Sequence, residues 1–113
     1  MEIRVGKKSI ETEVADTMVK RMMGLSLCDK KNMFFPLPFD DKWSLWMFAV
    51  RYPLKMIFID KEKKVVDVKR GVPITTDPKT WKVYSPKEKC RYILETPFDI
   101  KIKIGDKLRW QSL

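Results

Sequence analysis

The sequence LKMIFI occupies Leu54–Ile59 and is followed by the charged run DKEKK at residues 60–64 and by VVDV at residues 65–68. The two flanking segments are dominated by the β-branched and apolar residues that favour strands. A polar run of this length between two such segments is typical of a β-hairpin. This stretch therefore predicts an antiparallel pair of strands joined by a charged loop.

Further strand signals lie on both sides of this hairpin. Each is a short alternation of apolar and polar residues that is bounded by turn sequences. The first two flank GKKS at residues 6–9 and predict a second hairpin. Together with the first hairpin, these signals predict a mainly β fold, a sandwich or barrel of about seven short strands. The strands predicted outside the 54–68 hairpin occupy residues 3–5, 10–14, 90–96, 100–104 and 107–110.

One short helix is predicted over residues 16–24. Asp16 is a candidate N-cap, Val19 and Met22 recur at helical spacing, and Gly24 supplies a C-terminal stop. The methionines in this stretch are expected to face the core rather than a partner.

Three central stretches are harder to assign. Pro36 and Pro38 exclude a central strand from residues 33–39, so an edge strand or a covering loop is expected there. Residues 43–50 would be apolar on both faces of a strand, which predicts a strand buried between two layers. Residues 71–89 contain three prolines and predict a long loop, which either is pinned to the core or presents a contact surface.

Size and composition favour one domain over residues 1–113, because 44% hydrophobic residues can furnish a core. No apolar run approaches the roughly 20 residues that span a bilayer, so a membrane protein is not expected. The N-terminal sequence lacks the apolar region of a secretory signal, which predicts a cytoplasmic location. Abundant lysine and only two side-chain amides, Asn32 and Gln111, are typical of hyperthermophile proteins.

The formal net charge of +9 favours an anionic partner, either a nucleic acid or an acidic protein. Most of the lysines, however, fall in predicted turns and on solvent faces. A solvated surface is therefore favoured over a dedicated binding face.

The sequence lacks the residues that most catalytic mechanisms require. The chain has no histidine, which excludes serine–histidine and cysteine–histidine machinery. Its four glycines are isolated, so there is no glycine-rich phosphate loop. No cofactor, metal site or catalytic residue is predicted, and enzymatic activity is disfavoured.

The two cysteines, Cys28 and Cys90, have no metal-binding or redox-motif spacing. Two buried, reduced thiols are favoured. A Cys28–Cys90 disulfide stays open as the alternative, because hyperthermophile cytosols are an exception to the rule that intracellular thiols stay reduced.

The sequence therefore predicts a binding or accessory module. The alternatives are a nucleic-acid-binding domain, in which aromatic residues beside basic ones form a platform for single strands, and a small metal-dependent enzyme. If one face of the aromatic strand were left uncovered, it would form a ligand groove or a homodimer interface. The candidate contact residues are Trp46, Phe48, Arg51, Pro53, Lys55, Trp81 and Tyr84.

An ordered set of short motifs also resembles domain of unknown function family 192, also called uncharacterised protein family 0127. No single motif is specific, but the set covers nearly the whole chain in the order of the family. The motifs are VADT at residues 14–17, MGL at 23–25, NMFFPL at 32–37, LWMFAV at 45–50, YPLKM at 52–56, YILE at 92–95 and IKIGD at 102–106.

The resemblance implies a small jelly-roll-like β-sandwich or barrel with one short helix. It implies no activity, because the family name supplies none. Phe48, Ala49 and Val50 replace polar residues of the family pattern, and Lys55 replaces an acid. Any chemistry that the family carries at that cluster is therefore expected to be lost or changed here.

Overall fold

The computed structural model describes residues 1–15, 30–47, 50 and 52–111. Within these residues the backbone is mainly β and contains one short 3-10 turn. The helix predicted over residues 16–24 lies outside the described residues, as do Cys28, Phe48 and Arg51. The described part of the chain holds no helix with the length and hydrophobicity that a membrane crossing requires.

The described residues form ten strands, more than the seven or so that the sequence predicts, because several strands are only two residues long. The elements are β1 (Glu2–Val5), β2 (Lys8–Glu11), β3 (Glu13–Val14), β4 (Met33–Asp41), β5 (Leu45–Trp46), β6 (Leu54–Ile59), β7 (Val65–Gly71), a 3-10 turn (Pro78–Thr80), β8 (Val83–Tyr84), β9 (Cys90–Thr96) and β10 (Leu108–Arg109).

These strands form three sheets. The central sheet has five strands in the order β3-β4-β9-β6-β7, a second has the order β10-β1-β2, and β5 pairs with β8 in a two-stranded ribbon. Only β3 and β4 run parallel, and the other pairs are antiparallel. None of the three sheets closes on itself, so the predicted mainly β fold is confirmed as sandwich-like rather than as a barrel.

The central sheet is apolar on both faces, because successive side chains of a strand point to opposite sides. Met56 and Phe58 of β6 belong to one buried cluster, which the ribbon helps to cover. We call this side the ribbon face. Ile57 and Ile59 belong to the other cluster, and we call that side the hairpin face.

The hairpin face is covered by the three-stranded sheet and by the chain that follows β9. Ile3, Ile10 and Leu108 of the three-stranded sheet are buried there, together with Ile102. The core therefore consists of two layers, one on each side of the five-stranded sheet.

Both predicted hairpins are confirmed. β1 pairs with β2 around the Gly6-Lys7 turn, and β6 pairs with β7 around residues 60–64. In the second loop Asp60 Oδ1 accepts the backbone N–H groups of Glu62 and Lys64. These bonds stabilise a tight turn in which Lys63 has a φ of 68°.

The proline-containing stretch forms β4, which lies between β3 and β9 at Met33 and Phe34. Beyond Phe34 it has no described neighbour on the β3 side, so the predicted edge is found only in these later residues. Ala15 N donates to Phe34 O, so the N–H and C=O groups of even-numbered residues in β4 point towards β3. Pro36 has the same phase, but β3 reaches only as far as Phe34. The missing N–H of Pro36 thus faces an edge that no described strand occupies, and β9 pairs with the other edge until the register shifts between Pro36 and Asp41.

The buried strand predicted over residues 43–50 is wrong for the described residues 43–47 and 50. Among these, only Leu45 and Trp46 form a strand, and Val50 N donates to Met47 O. Met47 and Val50 are buried, whereas Trp46 lies on the outside. At the described residues, the apolar pattern therefore comes from a strand with one exposed side, and not from two covered faces.

The strand predicted over residues 100–104 is also wrong. Ile102 N donates to Ile100 O two residues earlier, as in a γ-turn. Ile100 and Ile102 both contact the hairpin-face cluster, and Ile104 is exposed. The apolar alternation here reflects anchoring of a covering segment rather than pairing in a sheet.

Candidate functional site

The ribbon has one buried side and one exposed side. Leu45 lies opposite Tyr84 in the β5–β8 pair, and both pack against the ribbon-face cluster. Trp46 lies opposite Val83, and these two side chains point outward. They are 61% and 65% exposed, which is unusual for two large apolar residues that face each other across a pair of strands.

A second indole lies close to the ribbon in the chain. Trp81 precedes Val83 by two residues and is also 61% exposed. Its Nε1 donates a 2.7 Å hydrogen bond to Thr75 O, which fixes one edge of the ring and leaves much of its surface in solvent. We call the set Trp46, Trp81 and Val83 the ribbon surface.

The turn before Trp81 is held by short-range hydrogen bonds. Asp77 Oδ1 accepts Lys79 N, and the Thr80 hydroxyl donates to Asp77 O. Thr75 N in turn donates to Thr80 Oγ1. Trp81 therefore extends from a small, well-bonded turn rather than from an irregular loop.

The chain around Trp81 is basic. Residues 72–89 contain four lysines and two acidic residues. Lys79 and Lys82 are exposed and lie on either side of Trp81 in sequence. Neither forms an ion pair with another described residue.

The structure separates the contact residues predicted from the sequence. Trp46 and Trp81 lie on the ribbon surface, and Pro53 is exposed just before β6. Tyr84 instead faces inward, where its hydroxyl accepts Val72 N. Lys55 lies on the hairpin face, where its Nζ donates to Ile100 O, so Lys55 and Trp46 do not share one platform.

Glu95 is a buried carboxylate to which the sequence analysis assigned no role. It lies between Met33 of β4 and Met56 of β6 on the ribbon face and is only 7% exposed. Burial raises the pKa of Glu95 to about 7, and no hydrogen bond or ion pair to its carboxylate is seen within the described residues. The sequence could have indicated this burial, because Glu95 follows Ile93 by two residues in β9 and therefore points to the same buried face.

Cys90 is buried and forms no disulfide with another described residue. Burial raises the pKa of Cys90 to about 11, so this cysteine is protonated at neutral pH and a poor nucleophile. The neighbouring Arg91 forms a 3.5 Å ion pair with Asp40 and donates to Leu37 O. Because Cys28 lies outside the described residues, the Cys28–Cys90 disulfide stays an untested alternative.

A cleft of about 210 Å³ opens between the β6–β7 loop and the start of β9. Its lining mixes acidic and basic side chains, and among the described residues no group of three potential metal ligands comes together. The lining residues are Asp40, Asp60, Lys61, Glu62 and Lys89.

Comparison with known proteins places the chain in a family. The family model DUF192 (Uncharacterized ACR, COG1430) matches residues 1–110. The UPF0127 protein of Pyrococcus abyssi is 32% identical over 88% of this chain and 86% of its own length. That of Thermococcus sibiricus is 35% identical over 88% of this chain but only 65% of its own length, so it contains additional sequence.

Solved structures confirm the fold. A candidate transcription regulator of Sinorhizobium meliloti matches with a TM-score of 0.81 and covers 96% of this chain and 91% of that chain. The sequence identity is 20%, so the likeness concerns the fold alone. The resemblance in the sequence motifs is confirmed by the family model and by the archaeal relatives. The chain belongs to the DUF192 (UPF0127) family.

Proposed function

We propose that the chain is a binding module that docks its partner on the ribbon surface. The observation that carries this proposal is the 61% exposure of both Trp46 and Trp81. Tryptophan is the residue most enriched at the energetic centres of binding interfaces, because one indole buries a large apolar area on contact. A single-domain organisation of residues 1–113 and a cytoplasmic location are parts of the same proposal.

The segments that carry the ribbon surface are also anchored, which favours binding. Leu45 and Tyr84 anchor the ribbon to the core, and the Tyr84 hydroxyl accepts Val72 N. Trp81 is held by its bond to Thr75 O. Side chains that are already positioned lose little conformational entropy when a partner docks.

The test uses the four tryptophan indole N–H signals of nitrogen-15-labelled protein as reporters. The probes are a fifteen-nucleotide oligothymidylate, a duplex of the same length and an oligoglutamate peptide. We expect at least one probe to shift the signals of Trp46 and Trp81, while those of the half-buried Trp43 and Trp110 stay in place. If none of the three probes moves the Trp46 and Trp81 signals at millimolar concentration, the proposal is wrong.

Variants assign the effect to this surface. Trp46→Ala and Trp81→Ala remove exposed rings and are expected to keep the wild-type melting temperature within a few degrees while binding is lost. Phe98→Ala is the matched control, because Phe98 is 49% exposed and belongs to the segment that covers the hairpin face. Equal loss of binding in Phe98→Ala would place the contact elsewhere and contradict the proposal.

A further inference from the structure

We propose that the occupant of the ribbon surface is a single-stranded nucleic acid, with bases stacked on Trp46 and Trp81. This inference rests on the proposed binding function and names the partner. It follows from three features of the described residues, namely the exposed indoles, the adjacent lysines and the limited apolar area.

Stacking is the first feature. An indole that projects from a fixed backbone offers a flat face to an unpaired base, and each such contact is worth about 1–3 kcal/mol whatever the base. Trp46 is fixed by pairing with Val83, and Trp81 by its bond to Thr75 O. Two separate rings suit a flexible strand, whose successive bases can adjust to each of them, whereas a duplex hides its base faces.

Charge is the second feature. Lys79 and Lys82 lie beside Trp81 in sequence, are exposed and form no ion pair with another described residue. The nearest acidic side chain in sequence, that of Asp77, accepts Lys79 N in the turn. Phosphates on either side of a stacked base would therefore meet cations, and the net charge of +9 attracts such a strand from a distance.

The apolar area argues against a second copy of this chain as the occupant. Two indoles that are 61% exposed, with Val83, present roughly 300–400 Å². A standard homodimer interface takes about 800 Å² from each partner, of which roughly 500 Å² is apolar, and these three side chains supply less than that. Two chains of charge +9 would also repel each other, so a dimer through this surface is disfavoured.

The deciding experiment is a fluorescence-anisotropy titration of labelled fifteen-nucleotide oligothymidylate and of a labelled duplex. We expect the single strand to bind more tightly than the duplex, with an affinity that falls roughly 5–10-fold between about 50 mM and 200 mM salt, as neutralisation of two phosphates requires. Lys82→Ala should reduce the slope of log affinity against log salt concentration by the amount that corresponds to about one phosphate contact. Trp46→Ala and Trp81→Ala should each weaken binding roughly 5–100-fold, and Phe98→Ala less than about twofold.

The outcomes separate this inference from the function on which it rests. If oligoglutamate shifts the Trp46 and Trp81 indole signals and the oligonucleotide does not, the nucleic-acid inference is wrong and the binding module stands. If the oligonucleotide binds Trp46→Ala and Trp81→Ala with the affinity of the wild type, binding comes from charge attraction alone and the inference is also overturned. Shifts that depend on protein concentration without any probe would identify a second copy as the occupant. No response to any probe would refute both proposals.

Discussion

The carboxylate of the buried Asp67 in β7 accepts the backbone N–H of Lys87 at 2.9 Å. Its other oxygen accepts Val68 N at 2.8 Å. Lys87 closes the long segment that carries Trp81 and Val83, so this one side chain ties that segment to the edge of the central sheet. The segment is therefore pinned to the central sheet at this point, whereas its role as a contact surface belongs to the proposed function.

Replacement of Asp67 tests this tie. Asp67→Asn keeps the shape of the side chain but retains only one acceptor oxygen for two backbone donors, so we expect a loss of about 1–3 kcal/mol in the free energy of unfolding. Limited proteolysis within residues 72–89 should become faster. Urea unfolding and mass spectrometry of the fragments measure both effects.

Asp77→Asn is the matched control for Asp67, since Asp77 also accepts a backbone N–H but is exposed. We expect it to change the stability by less than about 1 kcal/mol. Equal losses in the two variants would contradict the anchoring role of Asp67.

Glu95 predicts a specific pH dependence of stability. Its pKa is raised to about 7 in the folded chain from an ordinary value of 4.5, so the folded state binds the proton more tightly than the unfolded state. Stability should therefore fall as pH rises from 4.5 to 7 and then level off, with a total change of about 3 kcal/mol. Urea unfolding across this range measures the effect.

Glu95→Gln removes this titration with an isosteric neutral group. The variant should match the wild type near pH 4 and be the more stable protein at pH 8. Glu62→Gln, at an exposed loop position, should leave the pH profile unchanged. If the free energy of unfolding of the wild type does not change between pH 4.5 and 7, the raised pKa of Glu95 is contradicted.

Gly71 is predicted to tolerate no side chain without repacking. A Cβ atom there would lie 2.6 Å from the Met56 methyl carbon and 2.7 Å from Met47 Sδ. We expect Gly71→Ala to cost about 1 kcal/mol, because the flexible ends of the two methionines can shift but lose part of their packing when they do. Thermal unfolding measures the loss.

A double-mutant cycle assigns this cost to Gly71 and Met56. In a Met56→Val background, which lacks the colliding methyl group, Gly71→Ala should cost less than in the wild type. An identical cost in both backgrounds would show that strain at Met56 is not its source.

Cys90 should be almost inert in the native protein. Its burial raises its pKa to about 11 and hides its sulfur, so in a Cys28→Ser variant we expect labelling by a thiol reagent at pH 8 to be much slower than that of a free cysteine. The same variant in urea provides the control, where labelling should be rapid. Rapid labelling of the native variant would contradict the burial of Cys90.

The parts of the fold that could be predicted are those that local pattern specifies. The β6–β7 hairpin combines two apolar runs with a charged loop, and its Asp60 turn is decided within five residues. The bounds of β9, residues 90–96, were predictable for the same reason. Pro36 was informative in the same way, because it lacks a backbone donor and lies where β4 has no described neighbour on the β3 side.

The errors occurred where distant residues decide the outcome. Nothing local distinguishes Trp46, which is exposed, from Met47, which is buried, because the difference depends on how the ribbon packs on β6. Ile100 and Ile102 alternate like strand residues, yet both act as anchors of a covering segment. Trp46 pairs with Val83, which lies 37 residues later in the chain, and this tertiary contact likewise has no local signal.

The proline-bearing edge of β4 has a consequence for the behaviour of the chain in crowded conditions. An open strand edge is a template on which other chains can add, and such growth leads to aggregation. At Pro36 an incoming strand would find no backbone donor on this edge, so its ladder of hydrogen bonds would be interrupted there. The same residue that argues against a central strand in the sequence therefore hinders the addition of other chains at this edge.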